Sequence, residues 1–378
     1  MNNLHISLTE FRNESRVLKQ TNSIATLPGI QHVYIAALHN DNLKTDETLG
    51  DNITLKRFVL TTRGLSKGLF AQLIKYVELL FRIILFYRKK GVGIINVHTL
   101  ALLPLGYIVK LLYGAKLIYD THELETETVN SRGIRKKLAK LVERLLIRKA
   151  DHIFVVSENI ANWYQKEYEI PRPTIVLNAP NKITIEKNQY FRNHFQLRDD
   201  QIIALYQGGL SPGRGIEILL EAFSLRGDDR IIIVFMGYGI LEDQIKNVAD
   251  KYKTVFFHQA VPPGKLLSHT VSADIGISLI ENTCLSYYYC MPNKLFEYTM
   301  VGLPVLVSNM KEMREFVERY EIGWVMQEQT IESVNQTIDM ILKTDMTQYK
   351  NNTYLAASEN CWEHQEKKML AVYNILLG

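Results

Sequence analysis

Four stretches of this sequence bring together residue types that could do chemistry. The first is YQGGLSPGRGIEILLEAF, residues 206–223: an apolar strand ends at Gly208, Gly209, Gly213 and Gly215 punctuate a short loop, and a helix begins. Glycine lets a backbone come close to a ligand, and a helix start presents unpaired N–H groups. Arg214 sets a cation at the positive end of the helix dipole, a conflict that a bound anion resolves. The stretch therefore suits a phosphate, or else it is a tight turn with an exposed arginine. It is not a Walker loop, which needs Gly-Lys-Ser/Thr. The second is CMPNKLFEYTM, residues 290–300, where Pro292 marks a helix start and Asn293, Lys294 and Glu297 occupy the first turns. A cation for phosphate and a carboxylate for ribose hydroxyls would bind a nucleotide; a surface Lys–Glu pair is the other reading. The third is LIYDTHELETE, residues 117–127, in which a strand runs into Asp120, His122, Glu123 and Glu125. The fourth is MGYG, residues 236–239, whose Gly237 and Gly239 follow a strand. Glu242 breaks the G-x-G-x-x-G spacing, which argues against NAD.

The elements that must position these groups alternate. Strand-like runs at 4–8, 32–38, 53–60, 93–98, 115–120 and 152–157 are separated in places by helical stretches at 68–90, 101–113 and 134–149. The pattern restarts with strands at 202–208, 231–237, 254–259, 275–280 and 304–309 and helices at 215–226, 240–252, 263–271, 293–301, 311–319 and 331–343. Short apolar strands alternating with helices predict parallel βαβ units, here two Rossmann-like domains in series. The boundary falls in the proline-bearing, polar run 169–193, and the tail 357–377 reads as one helix with Trp362, Leu370, Tyr373 and Leu377 on its apolar side. The expected division is residues 1–175, 176–356 and a terminal helix 357–378. Such sheets bind ligands beyond the carboxyl ends of their strands, so chemistry is expected in a cleft between the two domains.

Composition narrows the partners. With 44 basic and 40 acidic residues the net charge is +4, too small for a nucleic-acid binder driven by phosphate neutralisation. Three cysteines with no C-x-x-C pair indicate neither a zinc knuckle nor a disulfide framework. The polar N-terminus lacks the charged and apolar regions of a signal peptide. Residues 68–87 are apolar, but Lys75, Glu78 and Arg82 lie a turn apart, which predicts a sheet-packed helix with one wet edge rather than a membrane span. The stretch IRKKLAKLVERLLIRK, residues 134–149, carries seven cations against Glu143, with Ile134, Leu138, Leu141, Val142 and Leu145 as its apolar stripe. It fits either an anionic membrane surface or a core-packed helix with a solvated basic face. No Asp-x-Asp or H-E-x-x-H occurs, which removes the usual carboxylate pair of a metal–nucleotide site and the zinc protease.

Taken together, these stretches resemble the retaining, nucleotide-sugar-dependent glycosyltransferases of the GT-B fold, family-4 type (glycosyl transferases group 1), in the bacterial surface-polysaccharide subgroup. The likeness runs over nearly the whole chain. Gly208-Gly209-Leu-Ser-Pro-Gly213-Arg214-Gly215 matches the family's G-R-x-x-x-x-K-G stretch, with Arg214 at the lysine and Gly209 at the arginine position. Glu297 ends the E-x7-E motif, whose first glutamate falls at Tyr289. Y-D-x-H-E with His122, VVS at 155–157, LNAP at 177–180 and the tail from Trp362 to Tyr373 also match. The resemblance implies a donor side of Gly208, Gly209, Gly213, Gly237, Asn293, Leu295 and Glu297, with His122, Arg214 and Lys294 at the reacting centre. It further implies a last helix that crosses back to the N-terminal domain, transfer with retention and no metal or other cofactor. The nucleotide sugar is then a substrate, with UDP slightly favoured over GDP. A glycan or lipid-linked acceptor would meet Asn13, Glu14, Arg16, His98 and Thr99. That implies an enzyme of capsule, O-antigen or similar polysaccharide synthesis, peripheral at the inner face of the cytoplasmic membrane and touching it through 134–149. Two rivals share the fold: a nucleotide-sugar epimerase, and a non-catalytic nucleotide-sugar-binding partner of another transferase, the latter motivated by Gly209 and Tyr289.

Overall fold

The computed structural model describes residues 1–12, 14–66 and 68–378, with Leu69 described by its backbone alone. The chain divides into two compact units, one of residues 1–176 with 366–378 and one of residues 177–365.

Unit 1 runs β1 (Asn2–Ile6), α1 (Ser15–Ile24), β2 (His32–Leu38), β3 (Asp46–Gly50), β4 (Ile53–Phe58), α2 (Leu69–Tyr87), β5 (Val92–Val97), α3 (Leu103–Tyr113), β6 (Lys116–Asp120), α4 (Gly133–Ile147), β7 (His152–Val155), α5 (Glu158–Tyr168) and β8 (Thr174–Ile175). Its sheet has the order β3-β4-β2-β1-β5-β6-β7-β8, all pairs parallel except β3 with β4. The chain moves outward from β1 to β4 and then returns to lay β5 beside β1. The switch point therefore lies where β1 and β5 end, at Ile6 and Val97. The three connections from β4 through β7 all step the same way across the sheet, so right-handed crossovers put α2, α3 and α4 on one face. The Tyr113 hydroxyl of α3 donates to the Ile84 carbonyl of α2 (2.7 Å), and the Leu105 N–H donates to the Tyr76 hydroxyl oxygen (2.9 Å).

Unit 2 runs α6 (Tyr190–Phe195), β9 (Ile202–Gly209), α7 (Ile216–Leu225), β10 (Ile231–Tyr238), α8 (Glu242–Ala249), β11 (Val255–Gln259), α9 (Leu266–Thr270), β12 (Ile275–Ser278), α10 (Leu285–Tyr288), α11 (Asn293–Met300), β13 (Val305–Ser308), α12 (Lys311–Tyr320), β14 (Gly323–Met326), α13 (Ile331–Ile341), α14 (Thr347–Asn360) and the first residues of α15 (Trp362–Leu377). The sheet order is β11-β10-β9-β12-β13-β14, parallel throughout. Central strands such as IIIVFMG are buried on both faces, which is why they read as unbroken apolar runs. The switch point here lies between β9 and β12, so the glycine loop opens at the carboxyl edge where such sheets bind ligands.

Two expectations need correction, and one alternative left open is decided. The tail is two helices, because Cys361 takes an extended conformation (φ −70°, ψ 165°) between α14 and α15; Trp362 and Tyr373 are buried, while Leu370 and Leu377 are only partly so. In α2 the solvent side is apolar, formed by Phe70, Leu73, Val77, Phe81 and Leu85. Its charges are instead tied down. Glu78 accepts from the backbone and hydroxyls of Thr61 and Thr62, Arg82 pairs with Glu78, and Lys75 donates to the carbonyls of Leu65 and Ser66. The α4 stripe does not serve the core, since Ile134, Leu138, Leu141 and Leu145 are all exposed and only Glu143 and Ile147 of this helix are buried.

Candidate active site

In unit 2 the end of β9 and the loop after it are shaped by three glycines in the left-handed region, Gly208 (φ 113°), Gly213 (φ 80°) and Gly215 (φ 68°). Gly215 is the N-cap of α7 and brings no side-chain cap, so the helix start keeps unpaired N–H groups beside Arg214. A side chain at Gly215 would strike Leu279, which follows β12. Gly237 is present for packing: a Cβ there would come within 1.9 Å of the Gly208 carbonyl oxygen. The same holds for Gly239 against the Leu210 backbone, so MGYG is a close approach between strand ends.

Two cations converge on this loop. Lys294, in the first turn of α11, places its Nζ 3.7 Å from the centre of the Tyr206 ring and lies against Gly208. The Arg214 guanidinium stands 5.0 Å from the Tyr287 ring, and Tyr287 also lines Gly213. Among the described residues, neither cation makes an ion pair. Burial, and then the neighbouring Arg214 charge, bring the Lys294 pKa down to about 7, against the opposing pull of Glu297 and Cys290. Such a lysine is poised to take a proton when an anion arrives.

Gln207 organises the carboxylate. Its Nε2 donates to Glu297 Oε2 (2.6 Å), and its Oε1 accepts from the Thr270 hydroxyl (2.7 Å). Its backbone N–H donates to Tyr298 Oη (3.0 Å), whose own proton is shared between the carbonyls of Leu205 and Ile277. Tyr206 and Gln207 open the glycine stretch, but the sequence alone assigns them no role. Their signal was available, because alternation along β9 sends Tyr206 and Gln207 to opposite faces just ahead of the glycines. Asn293 is exposed at the start of α11, which has no side-chain cap. Leu295 is a correction: its side chain is wholly buried in the core and its N–H is taken by the Pro292 carbonyl, so it supports α11 and offers a ligand nothing. Gly209 is exposed, and Tyr289 caps the end of α10.

In unit 1 the group at the end of β6 is a buried network. Asp120 is fully buried and accepts Arg16 Nε (3.0 Å), Arg16 Nη2 (2.6 Å) and Gln20 Nε2 (2.7 Å). His98 Nδ1 and His122 Nε2 each lie 3.3 Å from the same carboxylate. Burial alone would raise the Asp120 pKa, but Arg16 and the two histidines hold it well below the usual carboxylate range. Burial lowers the pKa of His98, and of His5, whose Nδ1 lies 3.0 Å from His98 Nε2, so both rings are neutral near neutral pH. His122 is the partly exposed member and presents its ring to solvent, with Asp120 fixing its orientation.

His98, Asp120 and His122 could in principle hold a metal, their ligand atoms lying within 4.8 Å of one another. The donor set does not fit one: both Asp120 oxygens are spent on Arg16 and Gln20, and the guanidinium would repel a cation. This also corrects the acceptor reading of Arg16 and His98. Each is 4% exposed; Arg16 Nη1 donates to the Val176 carbonyl (2.6 Å), and His98 packs behind His122 with ring centres 5.4 Å apart. Glu14 caps α1 without a side-chain bond, Thr99 precedes the turn into α3, and Asn13 lies outside the described residues.

The Glycosyltransferase Family 4 model matches residues 29–179 and the Glycosyl transferases group 1 model matches residues 188–358. Comparison with curated proteins finds no match. Among solved structures, sucrose-phosphate synthase from Thermosynechococcus elongatus has a TM-score of 0.81 at 16% identity, over 100% of this chain and 99% of that one. Anabaena HepE, in complex with UDP-glucose, has a TM-score of 0.73 at 14% identity, over 99% and 100%. WaaG, a glycosyltransferase involved in lipopolysaccharide biosynthesis, has a TM-score of 0.69 at 14% identity, over 100% of both chains. At these identities the solved structures speak for the fold, and the two family models, one on each half, speak for the class: the chain belongs to the glycosyltransferases of the GT-B fold.

Proposed function

We propose that the protein transfers a sugar from a nucleoside-diphosphate sugar, UDP before GDP, to a lipid-linked glycan acceptor, with retention and without a metal. The observation that carries this reading is the pair Arg214 and Lys294, two cations without ion partners among the described residues, set on a loop that glycine keeps open between two helix starts. Their charge would stabilise the departing diphosphate as the anomeric C–O bond breaks, where negative charge develops. Glu297, held by Gln207, would accept from the ribose hydroxyls, and His122 would meet the sugar or the incoming hydroxyl. Two protein cations supply what a divalent ion would otherwise give, which supports the metal-free reading. The UDP-glucose complex of Anabaena HepE supports UDP, and retention follows the family-4 resemblance. WaaG supports a place in bacterial surface-polysaccharide assembly. The exposed stripe of α4 supports action at the inner face of the cytoplasmic membrane.

The test is thermal denaturation with UDP, GDP, ADP, CMP and NAD. A ligand that binds the folded state alone at about a hundredfold over Kd adds ~2.7 kcal/mol. A shift with UDP or GDP is expected; a shift with NAD alone would sink the transferase reading. Anomeric analysis of the product then separates transfer from epimerisation, and a donor bound without any turnover would mark a non-catalytic partner.

A further inference from the structure

The three helices on one face of unit 1 turn apolar side chains outward together. Phe70 (77% exposed) and Phe81 (59%) on α2, Leu111 (64%) on α3 and Leu138 (56%) on α4 head a surface to which each helix contributes at least three such residues. Single exposed leucines are ordinary; rows of them on three neighbouring helices mark an interaction site. We propose that this face docks on an anionic lipid bilayer, with α2 supplying the apolar contact and α4 and the end of α2 supplying the charge. The proposal deepens the membrane reading above, which rested on α4 alone, and moves the main contact to a helix whose sequence predicts sheet packing with one wet edge.

Charge selects the occupant. The three helices contain eight cations and two carboxylates, Glu78 and Glu143. Glu78 is spent on Thr61, Thr62 and Arg82, while Glu143 is buried and accepts from the hydroxyls of Tyr119 (2.9 Å), Tyr164 (3.0 Å) and Tyr168 (2.6 Å). Lys136 and Lys140 are tied to Glu127, and Lys140 also to Glu167. Arg135 and Lys137, without an ion pair among the described residues, and Arg88 and Lys89 just past α2 are exposed cations on the rim. A second copy docked through the same face about a twofold axis would bring two surfaces of like net charge together. An anionic surface accepts both features, since phenylalanines sit at the acyl boundary and lysine and arginine stems reach up to phosphates. No helix of the described residues is long and apolar enough to cross a membrane, which leaves α2 lying in the plane.

The experiment is flotation of the full chain with vesicles of phosphatidylglycerol and phosphatidylcholine, against phosphatidylcholine alone. The wild type is expected to float with the anionic vesicles and to be released by salt. Phe70→Ser with Phe81→Ser should weaken binding at least tenfold, and Arg135→Ser with Lys137→Ser about fivefold per cation. The UDP-induced thermal shift, read on unit 2, should be unchanged in both, which separates loss of docking from loss of folding or from failure of the donor reading. Wild-type protein that stays in the aqueous phase, or a double Phe variant that floats like wild type, would overturn the proposal. So would a wild-type dimer that those two substitutions dissociate, which would give the face to a second copy.

Discussion

Donor binding should be coupled to protonation of Lys294. Its amine lies over the Tyr206 ring with the Arg214 charge nearby, and burial brings its pKa to about 7. The Cys290 thiol is pushed up to about 12 by burial, and burial also raises the Tyr206 phenol, so neither titrates in this range. The sign follows: a diphosphate favours the ammonium, so binding takes up a proton and affinity falls as pH rises through about 7. With half the amines charged near pH 7 and about a tenth near pH 8, Kd should rise roughly fivefold over that unit and about tenfold over the next, until the bound-state pKa is passed. Calorimetry with a UDP-sugar avoids the terminal phosphate ionisation near pH ~6. Repeated in buffers of different ionisation heat, it should count about half a proton taken up per ligand near pH ~7. Lys294→Arg keeps the charge at every pH and should flatten the slope. An affinity flat from pH ~7 to ~9 in the wild type, or an equal slope in Lys294→Arg, would refute the reasoning.

Two further outcomes test the supporting groups. Gln207→Leu removes a hydrogen bond to a carboxylate worth about 1.5–3 kcal/mol; it should weaken UDP binding about tenfold or more while leaving pyrophosphate, which has no ribose, unaffected. Arg16→Met strands the buried Asp120 carboxylate and should lower unfolding stability by about 3–5 kcal/mol in a urea titration, with part of the loss recovered by Asp120→Asn in the same chain.

Much of the fold was legible because parallel strands buried on both faces are unbroken apolar runs, as in IIIVFMG, and because helices, most of them ten residues or longer, alternate with them. What escaped carries no such period. β3, DETLG, is a polar antiparallel edge strand with no buried residue. Helix α1, SRVLKQTNSI, buries Arg16, Gln20, Thr21 and Ser23, so its inward face looks like a surface. The turns around Lys294 and Arg214 could be read locally, since glycine, a helix start and a cation fall within a few residues. The Arg16–Asp120 pair could not, because its partners are 104 residues apart and each has an ordinary local explanation. The α4 stripe shows the limit from the other side: periodicity fixes which residues share a face, but not whether that face is covered.

The last thirteen residues belong to unit 1, although 189 residues of unit 2 come before them. There the Asn96 side chain donates to the Tyr373 hydroxyl oxygen (2.6 Å), Met369 and Val372 are buried, and Leu377 reaches Gly29. During synthesis the first 176 residues leave the ribosome with this seat vacant, and it stays vacant until the rest of the chain has been made. The first unit begun is therefore the last completed. A chain truncated anywhere in unit 2 therefore leaves Asn96 without its Tyr373 partner and unit 1 without the buried Met369 and Val372.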